Sequence, residues 1–239
     1  MRLALAAAAW VLTSSFPQGR LYSRQEGDGL VALRAEGTLD APAWAVREVL
    51  AQGWRHPEVT PHLAERRVLS ADGCRPGASD LPGCRVVWAY ERYDPPVVAK
   101  RDYTFRMEIV ADDLQRGGRF EIAWNLDPDR GPPPSPDAVR MRANRGGWVV
   151  LADGEQSRFR YTLTADPGGE VPRWVVAAAN RSRVPAVIAA VEEDARKIAA
   201  ARPAPPADGA SPAAPPPGGT GPSGAPDDEV RAPRSGSRP

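Results

Sequence analysis

Lysine is almost missing from this 239-residue chain: of 31 basic residues only Lys100 and Lys197 are not arginine, and the formal net charge is +1. With 30 acids there is no basic excess, which a protein that tracks nucleic-acid phosphates needs, so no nucleic-acid partner is expected. Histidine is equally scarce. His56 and His62 stand five residues apart without neighbouring cysteine or ordered acids, which is no metal-ligand pattern. The two cysteines, Cys74 and Cys84, are too few for a structural zinc site, and neither a metal nor a cofactor is expected. No run of 18 apolar residues occurs, so no mature helix is long enough to span a membrane. A Gly-x-Ser-x-Gly elbow is absent, as is a glycine-rich loop opening a helix. Serine-hydrolase and nucleotide-binding readings therefore lack their signatures.

Proline and glycine are plentiful, at 27 and 22, but unevenly placed: the 38 residues from Arg202 hold 11 Pro and six Gly, leaving 16 of each for the preceding 201. Residues 201–239 read as a disordered Pro/Ala/Gly-rich tail, since this composition cannot bury enough apolar surface to order a chain. Residues 16–200 are sized for one domain. Residues 1–15 are open to two readings. Arg2, the apolar run Leu3–Leu12 and then Thr13-Ser14-Ser15 fit a short secretory signal; a first helix with Trp10 on the core fits equally. Cys74 and Cys84 bracket a segment with Pro-Gly turn signals, a hairpin loop that a disulfide could close. Such a bridge persists in an oxidising compartment, which favours export to the periplasm or cell envelope. Two free thiols in a cytoplasmic protein are the alternative.

The body reads as a strand over Leu30–Gly37, a short helix over Pro42–Ala51, and then a succession of alternating segments. Arg101–Val110 is the clearest. Tyr103, Phe105, Met107 and Ile109 fall on one face, and Asp102, Thr104, Arg106 and Glu108 on the other. Arg119–Leu126 and Ser157–Ala165 repeat the pattern, and Cys84–Tyr93 is rich in Val, Trp and Tyr. Short turns between them predict a mainly antiparallel sheet of six or seven strands. After Asp166-Pro167-Gly168-Gly169, Pro172 opens a long helix to about Ala200, with Trp174, Ala178, Val187, Ile188, Val191, Ala195 and Ile198 as its apolar stripe. It is the one element long enough to cover the apolar face of the sheet.

Four segments in register resemble the StAR-related lipid-transfer (START) domain family of the helix-grip superfamily. They are Arg101-Asp102-Tyr103-Thr104, Val139-Arg140 with Gly147-Trp148, Asp166-Pro167-Gly168-Gly169 through Trp174, and Val184-Pro185 inside the last helix. The resemblance implies an α+β helix-grip fold, a curved antiparallel sheet wrapped on a long C-terminal helix. It also implies a monomer whose internal apolar cavity holds one lipid. Several members place a buried Arg six residues after the Arg of Arg-Asp-Tyr; here that position is Met107, so this polar anchor does not carry over.

The expected cavity residues are Trp88, Tyr90, Tyr103, Phe105, Met107, Trp124, Tyr161, Trp174 and Ala178, with Tyr90, Tyr103 and Tyr161 as hydroxyl donors; for each aromatic, plain core packing is the alternative. The proline-rich segment with Asp127, Arg130 and Pro133 reads as a portal loop at the cavity mouth, or else as a stiff surface excursion. The outward arginines (Arg106, Arg119, Arg140, Arg142, Arg158 and Arg160) are a solvated face or, less simply, a transient membrane contact. The functional expectation is a non-catalytic protein that binds, and in one version transfers, a lipid or other hydrophobic molecule. Two alternatives stand beside it: a cyclase/aromatase-like enzyme of the same superfamily acting on polyketides, and a ligand-free binding module with a filled interior.

Overall fold

The computed structural model of the chain describes residues 9–26, 29–51, 62–74, 84–95 and 98–202. Its elements run β1 (Val11–Phe16), β2 (Gly19–Gln25), β3 (Val31–Leu39), α1 (Ala43–Ala51), β4 (Leu63–Asp72), β5 (Val86–Tyr93), β6 (Arg101–Asp112), β7 (Arg119–Leu126), β8 (Val139–Arg140), β9 (Ala143–Asp153), β10 (Gln156–Asp166) and α2 (Arg173–Ala201). Nine strands form an antiparallel sheet in the order β1-β2-β3-β10-β9-β7-β6-β5-β4, and β8 adds to β6 in parallel. The fold is thus α+β, one open sheet with a long C-terminal helix.

Pairing β3 with β10 sets the first strands beside the last one. The helices that follow these two strands, α1 and α2, pack on each other. Ala45, Val46 and Val49 of α1, Val184, Ile188 and Val191 of α2, and Phe120, Val150 and Phe159 of the sheet are buried in one core. Glu192 of α2 ties the layers at their edge. It accepts from Gln18 Nε2 and from the Asp40 backbone N–H, both at 2.7 Å.

Two glycines are dictated by space. A Cβ on Gly146 of β9 would lie 2.5 Å from the Trp124 ring, so its bare backbone makes room for that indole. Gly168 has φ +68°, and a Cβ there would come 2.6 Å from the Arg140 carbonyl oxygen; only glycine suits both the left-handed backbone and the close approach.

The motif residues noted in the sequence meet here. Arg101 donates to the carbonyl oxygens of Ala99, Pro167 and Gly168, which holds the turn leading into α2 against β6. Asp102, fully buried, receives Arg140 in a fork at 2.8 and 3.0 Å.

Several expectations need correction. Residues 11–15, expected within a first helix or a secretory signal, are not helical but belong to β1, an edge strand whose Val11 and Leu12 stay exposed. Residues 1–8 and 203–239 lie outside the described residues, so the tail and the start of the chain are not addressed. Among the described residues the sheet has ten strands where six or seven were expected. The largest omission is β4, charged and bulged twice against β5. Cys74 and Cys84 are joined in a disulfide, S–S 2.06 Å; the residues between them, 75–83, lie outside the described residues.

Candidate functional site

Between the sheet and α2 lies a cavity of about 720 Å³, within the range of sites that hold one small ligand. Its sheet wall follows from strand register. Tyr103 pairs with Glu91, Phe105 with Ala89, Met107 with both Val87 and Trp124, and Ile122 with Trp148, which pairs in turn with Tyr161. Directly paired residues share a face, so one clear face on β6 sets the inward set of its neighbours. Aromatic rings contact across this wall: Trp148 to Tyr161 at 4.8 Å between centroids and Trp124 to Tyr161 at 5.9 Å. From α2 the wall is completed by Val175, Val176, Ala179, Arg183, Ala186, Val187 and Val191.

Of the expected cavity residues, Tyr103, Phe105, Met107, Trp124 and Tyr161 line this space. Trp88 and Tyr90 do not. They pair with Arg106 and Thr104 and belong to the opposite face. Trp88 donates Nε1–H to Asp127 at 2.8 Å and lies under the Arg130 guanidinium at 4.4 Å; Tyr90 donates to Asp102 at 3.2 Å. Their large rings suggested the inside, but parity with β6 puts Ala89, Glu91 and Tyr93 there instead. Ala178 and Ala179 are both exposed, and of the two it is Ala179 that lines the cavity, one position off the expected stripe. The side chain of Trp174 lies outside the described residues.

The segment holding Asp127, Arg130 and Pro133 is also corrected. It does not line the cavity but folds onto the outer face. Arg140 donates to the Pro132 carbonyl at 3.1 Å, the Ser135 N–H donates to Asp102 at 3.3 Å, and Gly131 packs on Thr104. These contacts make it a clamped surface excursion rather than a portal.

The cavity also carries a polar cluster that sequence reasoning missed. Glu91 is 2% exposed. Its Oε1 receives Arg66 Nε and Nη2, both at 2.6 Å, and its Oε2 receives Tyr103 Oη–H and, at 3.2 Å, Tyr93 Oη–H. Arg183 reaches over from α2 and donates to Tyr93 Oη at 2.9 Å, with its guanidinium 4.7 Å above that ring. Arg183 is exposed and is among the residues that line the cavity. A signal did exist: in β5, Glu91 shares parity with Ala89 and Tyr93, two positions to either side. Both faces of that strand carry large apolar residues, however, and this hid which one was inward. His62 also lines the cavity; His56 lies outside the described residues. Among the described residues no cluster of metal-ligating side chains occurs.

Burial holds the phenols of this wall in their protonated form. Desolvation raises Tyr103 well above its ordinary value, with the Glu91 charge adding to it, and raises Tyr93 for the same two reasons. Desolvation pushes Tyr161 up to about 12. Below pH 10 both folded and unfolded Tyr161 are neutral and its contribution to stability is whole. Between pH 10 and 12 only the unfolded form loses its proton, so stability falls as pH rises. Tyr161→Phe should therefore gain on the wild type by roughly 3 kcal/mol across that window, with no change in their difference below it; urea titrations at stepped alkaline pH read this directly.

No family model matches the chain, and no curated protein matches it. Solved structures do match. Human STARD10 has a TM-score of 0.64 at 19% identity, covering 79% of this chain and 73% of its own. A STAR-related lipid transfer protein from Xanthomonas axonopodis has a TM-score of 0.62 at 23% identity, covering 78% and 98%. An aromatase/cyclase from a Streptomyces species has a TM-score of 0.50 at 16% identity, covering 73% and 97%. The chain has the START-domain, helix-grip fold.

Proposed function

We propose that this protein binds one lipid or other hydrophobic molecule in the cavity between the sheet and α2, without catalysis. The observation that carries the reading is the cavity itself. About 720 Å³ is walled by aromatic and aliphatic side chains from β6, β7, β9, β10 and α2, while the core beside it is closely packed. An apolar chain entering this space leaves water at a gain of about 0.8 kcal/mol per CH₂ buried, and no covalent step is needed. The START-domain fold supports the reading; transfer between membranes is its finer version. The Cys74–Cys84 disulfide supports an exported protein. Liposomes loaded with a self-quenched fluorescent lipid test it: the protein should relieve quenching by extracting lipid, and delivery to unlabelled acceptor liposomes would establish transfer. Unchanged quenching at protein in excess of lipid would sink the proposal.

The polar cluster favours one second reading, an enzyme acting on a bound polyketone. Glu91, Tyr93, Tyr103 and Arg183 converge on the cavity wall. Against it, both Glu91 oxygens are occupied, and the phenols are held protonated, so none serves as a base at neutral pH. The two readings separate on whether a captured molecule is released chemically unchanged or altered.

A further inference from the structure

The polar end of the cavity is built from cations with too little negative charge to match. Among the described lining residues the charged groups are Arg66, Arg101 and Arg183 against the single carboxylate of Glu91. Two of the three arginines are held by protein. Arg101 is turned to backbone carbonyl oxygens and Arg66 grips Glu91. Arg183 differs. Its one hydrogen bond is to a neutral phenol, Tyr93 Oη, and among the described residues no carboxylate lies within ion-pair distance of it. The two oxygens of Glu91 are taken by Arg66, Tyr103 and Tyr93, so Glu91 does not turn to it. A guanidinium has five N–H donors in a planar fork that matches an oxyanion; here one of its nitrogens is engaged by Tyr93 and the residue lines the cavity. Tyr161 adds a second donor: it lines the same space, and its hydroxyl has no hydrogen-bond partner among the described residues. A cation on the wall of a largely apolar cavity, with no carboxylate partner among the described residues, is placed to meet an anion brought in with a ligand.

Building on the ligand-binding reading, we propose that the cavity is selective for an amphiphile with an anionic head group, a carboxylate or a phosphate monoester, received by Arg183 with Tyr161 as second donor. The apolar part of the ligand lies along Phe105, Met107 and Trp124. Neutral lipids of the same chain length lack the group that Arg183 is placed to meet.

Three probes of equal chain length test this by displacement of the neutral dye Nile red: hexadecanoate, 1-hexadecanol and hexadecyl phosphate. The wild type should bind at least one anionic probe more tightly than the alcohol by about tenfold or more, and the better anion identifies the head group. Arg183→Gln should abolish that preference, the anionic probe losing about tenfold or more in affinity relative to the alcohol. Tyr161→Phe should reduce the preference in part. Equal affinity for all three probes, or a preference that survives Arg183→Gln, overturns the head-group inference while the ligand-binding reading stands. If neither the dye nor any probe binds, the ligand-binding reading falls and takes the inference with it.

Discussion

Glu91→Ala is expected to lower the unfolding free energy by about 3–5 kcal/mol, the cost of breaking a buried ion pair from one side. The carboxylate is 2% exposed and sits at the centre of the polar cluster. Removing it leaves Arg66 without the acceptor it reaches twice at 2.6 Å, and takes from Tyr103 and Tyr93 the oxygen they share. The buried phenols of Tyr103 and Tyr93 lose a charged acceptor in the same step, and an unsatisfied buried donor costs about 1–3 kcal/mol even when neutral. Glu91→Ala/Arg66→Met should recover a substantial part of the loss, because it removes both charges and not one. Urea unfolding of the two single variants and the double variant measures the coupling. If the single Glu91 variant is as stable as the wild type, the carboxylate is not the centre of a buried network.

Ala179→Trp is expected to abolish uptake of any hydrophobic probe, by about a hundredfold or more, while the protein remains folded. Ala179 faces the cavity from α2 one turn before Arg183 and is not part of the packed core. Because Ala179 is exposed and lines the cavity, an indole there is expected to fill ligand space at little cost to the core. The contrast is Trp88→Ala. That change strips the outer face of a ring clamped by Asp127 and Arg130, and it should lower stability yet leave probe affinity unchanged. Nile red titration, with circular dichroism to verify folding, separates the two. An Ala179→Trp protein that binds as the wild type does would place the ligand elsewhere.

Much of the fold was legible because β6 is strictly amphipathic. Tyr103, Phe105 and Met107 alternate with Asp102, Thr104 and Arg106, so the inward face was clear. The same holds for Trp124 in β7 and Tyr161 in β10. Legibility failed where both faces are apolar or both polar. In β5, Trp88 and Tyr90 outweigh Ala89 and Glu91 in size, and size alone points to the larger rings as the inner set. Only pairing with β6, which no single strand encodes, reverses the choice. In β4, Leu63–Asp72 carries charge along its length because it is a sheet edge, so the period-2 signal is weak. The polar cluster was hidden for a related reason. Arg66, Glu91 and Arg183 come from β4, β5 and α2, each unremarkable alone, and they meet only across the sheet-to-helix gap. The motif residues Arg101, Asp102, Arg140 and Gly168 were recognised as a pattern, but the structure gives them a local task, fastening β6 to β8 and to the turn before α2.

The central claim is that the space under α2 is a ligand site, and native mass spectrometry of the intact protein purified from bacterial cells tests it most directly. The account predicts a one-to-one adduct of a hydrophobic molecule, displaced by an added anionic amphiphile and lost in Ala179→Trp. A spectrum of the bare chain alone, unchanged after incubation with a total lipid extract, would contradict it.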